Sequence, residues 1–116
     1  IDWTIVSIPF SLDIRFIKTN ISNSIFVGLN LKNINMINCI AKGVNFEESD
    51  LESAKLENTD FENAVFKNTI LSKANFINAK NYDIDHKFNT TKKAIFNLPE
   101  AIRLLNGLDV IIKNES

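Results

Sequence analysis

The chain has little of what enzyme sites are usually built from. Its 116 residues include one cysteine, one histidine and three glycines. A lone Cys39 excludes an intrachain disulfide framework and a cysteine-cluster metal site, and its place among small inward residues reads as a buried thiol that fills volume. His86 sits in the stretch "DIDHKF" with Asp83 and Asp85, and a single imidazole cannot supply the converging ligands that a metal or an acid–base pair needs. So few glycines leave no phosphate-cradling loop, and no HExxH, nucleophile elbow or calcium loop is present. A dominant charge is missing too: 13 basic side chains face 14 acidic ones, which argues against a nucleic-acid binder or an acidic tail. No apolar run approaches the roughly 18 residues of a membrane-spanning helix. No catalytic residue, cofactor or metal site is expected, and the chain reads as not an enzyme.

What the chain has is a period. Phe16, Ile21, Phe26, Leu31, Met36, Ala41, Phe46, Leu51, Leu56, Phe61, Phe66, Leu71 and Phe76 fall five residues apart. Two residues before each lies a second column, from Ile14 to Ala74, that is small or apolar and never charged. All 14 charged residues between Arg15 and Lys73 occupy the other three columns. A helix cannot use this pattern, because a step of five rotates each large side chain about 140° from the last. A flat strand fails as well, since an odd step alternates its faces. Short extended segments joined by corners satisfy it, provided successive coils stack and bury one another. Asn23, Asn33, Asn38, Asn58, Asn63, Asn68 and Asn78, with Gly28 and Gly43, stand two residues after the large positions. These residue types tolerate positive φ and mark the corners.

The segments "SDLES", "AKLEN", "TDFEN", "AVFKN" and "ANFIN" resemble the pentapeptide-repeat family, whose motif is a small residue, a polar one, Leu or Phe, and two polar ones. That resemblance implies an all-β solenoid, a right-handed quadrilateral β-helix with four pentads per coil, closed by a short C-terminal capping helix and strand. Twenty residues per coil then give four core stacks: Phe26, Phe46 and Phe66; Leu31, Leu51 and Leu71; Phe16, Met36, Leu56 and Phe76; and Ile21, Ala41 and Phe61. The expected division is an irregular first coil or cap over 1–13, where Trp3 and Phe10 cover the core, and repeats over 14–81. A loop follows over 82–93, then a last pentad and cap over 94–116. Within that cap a helix is expected over about 98–106, with Asn97 and Glu100 as a capping box and Gly107 as its stop, then a strand over about 110–112. Leu98, Ala101, Ile102 and Leu105 form the stripe expected to close the core.

Function has to come from the surface. Glu47, Glu48, Asp50, Glu52, Glu57, Asp60 and Glu62 gather half of the acid into one belt opposed by Lys55 alone. The leading expectation is a non-catalytic structural or protein-interaction solenoid offering flat sides to a protein partner. The alternative, implied by the resemblance, is a mimic of duplex DNA that binds DNA gyrase through an acidic face. Resemblance also implies a homodimer through the C-terminal cap, with Ile95, Leu104 and Leu108 as contacts. Direct nucleic-acid binding and a membrane span are not expected. The chain opens on Ile1 without a basic stretch leading into an apolar one, so a cytoplasmic location is expected.

Overall fold

A computed structural model describes residues 15–108 and 110. The expected cap over 1–13 with Trp3 and Phe10, and Ile111 and Ile112 of the expected final strand, lie outside the described residues. Among the described residues the chain returns over itself every 20 residues, joined by single parallel bridges. One column runs Arg15, Asn35, Lys55, Asn75, Ile95; a second Asn20, Ile40, Asp60, Lys80; a third Ile25, Asn45, Val65; a fourth Asn30, Asp50, Ile70, Thr90. Phe66 alone bridges directly, to Ile84; in all of these columns the bridged residue is the one before the large position. Beside it the large residue donates its N–H to the pass above, as in Phe26 N–H to the Asn45 carbonyl at 2.8 Å and Leu51 N–H to the Ile70 carbonyl at 2.7 Å.

The all-β right-handed quadrilateral β-helix is not what forms. Among the described residues there is no β-strand and no sheet, and the one regular element is a 3₁₀ helix, Glu100–Leu108. The reason is local. In most pentads the large residue's carbonyl accepts the N–H three residues on, as in Ser49 N–H to Phe46 O at 3.0 Å and Ala64 N–H to Phe61 O at 2.9 Å. That closes a β-turn whose third residue needs positive φ. Asn23, Asn33, Asn38, Asn58, Asn63, Asn68 and Asn78 meet the need with φ of 53–63°, and Lys18, Glu48, Ser53 and Lys73 adopt it as well. A turn in every pentad leaves one bridged residue between corners, too little for a strand. Resemblance supplied the words β-helix and solenoid, and the turns overrule them.

Packing follows the columns. Phe46 lies between Phe26 and Phe66, with ring centroids 5.6 and 5.2 Å apart and planes within 12° of parallel. Leu31, Leu51 and Leu71 are buried, as are Met36, Leu56 and Phe76, while Phe16 is partly buried against the core. Ile21, Ala41 and Phe61 are buried, and Phe61 sets its edge against Phe66 at 5.4 Å. The small column has a second duty. Thr69 Oγ1 donates to the Phe46 carbonyl at 2.9 Å, and Ser49, Thr59 and Cys39 donate in the same way to Phe26, Met36 and Phe16. Each bond reaches back 23 residues and ties a buried hydroxyl or thiol to the pass below, which satisfies these four polar atoms.

After Lys80 the phase slips. Ile84, not His86, takes the seat over Phe66, and Tyr82 turns fully inward against Phe76 and Phe96. The period resumes within the expected loop, because Thr90 bridges Ile70 and Ile95 bridges Asn75.

Candidate functional site

Two surfaces bear on function, the acidic belt and the C-terminal end. The belt residues lie on the middle passes, but several are occupied with structure. Asp50 and Asp60 precede large residues, and each Oδ1 accepts the N–H two residues on, from Glu52 at 3.0 Å and Glu62 at 3.1 Å. Asn20, Asn30, Asn35, Asn45 and Asn75 do the same in other passes. This is an Asx turn, and its signature, Asn or Asp just before the large residue, is readable in the sequence. Asp50 and Asp60 also meet Lys32 and Lys42 from the pass below, at 3.6 and 3.9 Å. Burial works to raise Asp60. The Asn81 amide at 3.0 Å, the Glu62 N–H, Lys42 and Lys80 together outweigh it and hold the carboxyl below its ordinary value. Glu57 keeps a buried Oε1 with no partner among the described residues. Glu47 and Glu52 are half-buried, and Glu48 and Glu62 are exposed.

At the C-terminal end the helix has a period of three rather than 3.6, and this redistributes every side chain. Residues three apart eclipse one another. Glu100 and Arg103 share one stripe: Asn81 N–H donates to Glu100 Oε2 at 3.0 Å, and Arg103 Nε donates to the Tyr82 carbonyl at 2.9 Å. Ala101 and Leu104 share the second, and Leu104 packs on the core. Ile102, Leu105 and Leu108 share the third, and all are exposed. Three of the four residues in the stripe expected to close the core, Leu98 at 73% exposure, Ile102 and Leu105, face outward instead. Of the three expected dimer contacts, Ile95 and Leu108 are exposed and Leu104 is turned inward. The capping box is absent too. Asn97 pairs with Asn78 on the pass below at 2.9 Å in both directions, and Glu100 serves Asn81. The helix continues through Gly107, and Val110 is exposed outside any strand.

The remaining candidates for chemistry are quiet. Cys39 is buried, which pushes its thiol up from its ordinary value. His86 is exposed and borders a cleft of about 240 Å³ with Ile84, Thr91, Ala94, Phe96 and Leu104. Among the described residues no group of three His, Cys, Asp or Glu could hold a metal ion, and no helix is long and apolar enough to cross a membrane.

A model of pentapeptide repeats matches residues 14–52 and 45–80, in eight copies. The chain belongs to the pentapeptide-repeat family. Proteins of this family are structural and non-catalytic, and the chain is not an enzyme. No curated protein matches it. Among solved structures it is similar to the pentapeptide-repeat protein Rfr23 from the cyanobacterium Cyanothece 51142, at 22% identity and TM-score 0.36, over 78% of this chain and 68% of that one. It is also similar to a pentapeptide-repeat protein of the Arabidopsis thaliana thylakoid lumen, at 18% identity and TM-score 0.37, over 66% of this chain and 60% of that one. A third likeness is to a trypsin-treated form of QnrB1, a plasmid-mediated fluoroquinolone resistance protein, at 10% identity and TM-score 0.36, over 87% and 98%. Superpositions this loose say nothing about shared partners.

Two functional expectations fall with the architecture. A solenoid offering flat sides to a protein partner has no basis where no sheet forms among the described residues. The gyrase-directed mimic was the alternative on the same framework. It also needs acid continued along one face, whereas Asp50 and Asp60 each have a lysine directly below.

Proposed function

We propose that this pentapeptide-repeat chain works by holding a protein partner at its C-terminal end, and that the first such partner is a second copy. The observation that carries this reading is the outer stripe Ile102, Leu105 and Leu108, flanked by exposed Ile95 and Leu98. Five exposed aliphatics within 14 residues form a concentration that scattered surface hydrophobes do not. A two-fold contact would bring stripe against stripe and shield both ends. Leu104 belongs to the core and not to this contact. Sedimentation equilibrium tests the proposal: the wild type is expected to dimerise at micromolar concentration, and Leu105→Glu to be a folded monomer. A monomeric wild type, or a Leu105→Glu protein that still dimerises, would remove it.

A further inference from the structure

We infer a second interaction surface, independent of the apolar end, that takes a short acidic protein segment. It lies on the last two passes, around the corner that carries Phe88. Asn68 N–H donates to the Phe88 carbonyl at 2.6 Å, Ile70 bridges Thr90, and Lys73 N–H donates to the Lys92 carbonyl at 3.0 Å. These bonds place Lys67, Ile70 and Lys73 directly beneath Lys87, Phe88, Thr90, Lys92 and Lys93. All five lysines are exposed, as are Phe88 at 53% and Ile70 at 38%. None of the five makes an ion pair among the described residues, whereas Lys32, Lys42 and Arg103 each have one. The charge is therefore segregated along the molecule. Residues 47–62 carry seven acids and one lysine, and residues 63–93 carry six lysines and two aspartates.

A cationic surface with two exposed apolar side chains in its midst fits an anionic ligand that also brings apolar contacts. Single-stranded nucleic acid fits less well. Its binders present successive aromatic rings for stacking, and the patch offers Phe88 alone. The acidic residues Glu48 and Asp50 lie one pass below, and Asp50 bridges Ile70. Passes about 4.8 Å apart keep that acid inside a Debye length of about 8–10 Å, so a ligand's anionic groups are favoured on the upper pass, away from Glu48 and Asp50. An extended peptide can lie along that upper pass, over 87–93, with its carboxylates on the lysines there. Its side chains alternate, so one edge can place carboxylates on Lys87 and Lys92 while an apolar residue covers Phe88 and Ile70.

Fluorescence anisotropy with a short labelled peptide of alternating glutamate and leucine tests the inference. Binding is expected to weaken steeply with salt and to fall at least tenfold in Lys67→Glu/Lys87→Glu/Lys92→Glu, three positions outside the positive-φ corners. Phe88→Ala should weaken it several-fold without altering the melting temperature, and the glutamine analogue of the peptide should not bind. Binding that survives the triple charge reversal in a folded protein overturns the proposal. So does tighter binding of an equally charged single-stranded oligonucleotide, or no peptide binding at low salt.

Discussion

The passes from Arg15 to Lys80 and the end that follows them meet the same demands by different means. In the regular passes the seat above each large residue is filled by the residue 20 positions on, and a hydroxyl or thiol bonds back to the pass below. At the end Ile84 fills the seat over Phe66 two residues early, and Tyr82 swings in where Asn81 has the register. Asn89 then does what Ser49 and Thr69 do: its Nδ2 donates to the Phe66 carbonyl at 3.0 Å, while its Oδ1 accepts the Thr69 N–H at 3.1 Å. Volume and a donor are what each position requires, and register is one way of supplying them.

The largest effect should come from breaking the regular side of that comparison. Phe46 is fully buried between two parallel rings, so Phe46→Ala leaves a cavity that neither neighbour can close. A loss of about 3–5 kcal/mol is expected in chemical denaturation. Phe88→Ala, the same deletion on the exposed corner, should stay within about 0.5 kcal/mol of wild type. Similar losses at the two sites would mean that the stack is not what holds the passes together.

Next comes the helix, where period decides which leucine matters. Leu104→Ala removes a side chain packed on the core and should cost about 2 kcal/mol, below the full burial range because it is only half-buried. Leu105→Ala should leave monomer stability unchanged within about 0.5 kcal/mol. The reverse order would restore the α-helical stripe of Leu98, Ala101, Ile102 and Leu105.

This helix shows where legibility ended. The five-residue column, the small column and the corner asparagines could be read because each is a repeated demand of the backbone, visible thirteen times in the two columns and seven times in the asparagines. Asx turns before Leu51 and Phe61 were legible on the same terms, since Asp50 and Asp60 stand in a column of asparagines. Stretches shaped by single tertiary contacts could not be read. Nothing in "NLPEAIRLLNG" announces a period of three, which is set by Glu100 and Arg103 gripping the backbone of Asn81 and Tyr82. Ile84 displaces His86 because an apolar seat over Phe66 must be filled, and no local pattern states that. The 20-residue interval already sets Lys32 beneath the Asp50 and Glu52 segment of the belt, and Lys32 does meet Asp50.

The smallest effect probes the irregular end through its one fully buried tyrosine. Tyr82 sits against Phe76 and Phe96, and its hydroxyl has no hydrogen-bond partner among the described residues. Burial, with Glu100 adding and Arg103 opposing, pushes its phenol up to about 12. Since the folded value lies above the ordinary one of about 10, the folded state holds the proton more tightly than the unfolded chain. That contribution is fully present below about pH 10 and is lost as pH rises through about 12. Tyr82→Phe removes both the unpaired hydroxyl and the titration. At neutral pH it should be equal to wild type or more stable by about 1 kcal/mol. Between about pH 10 and 12 the wild type should fall away from the variant. Because Tyr82 is the sole tyrosine, phenolate absorbance of the native protein reports this group alone. Ionisation near the ordinary value, or wild-type and variant curves that stay parallel into alkali, would place the ring in solvent instead of at the closing seat of the core.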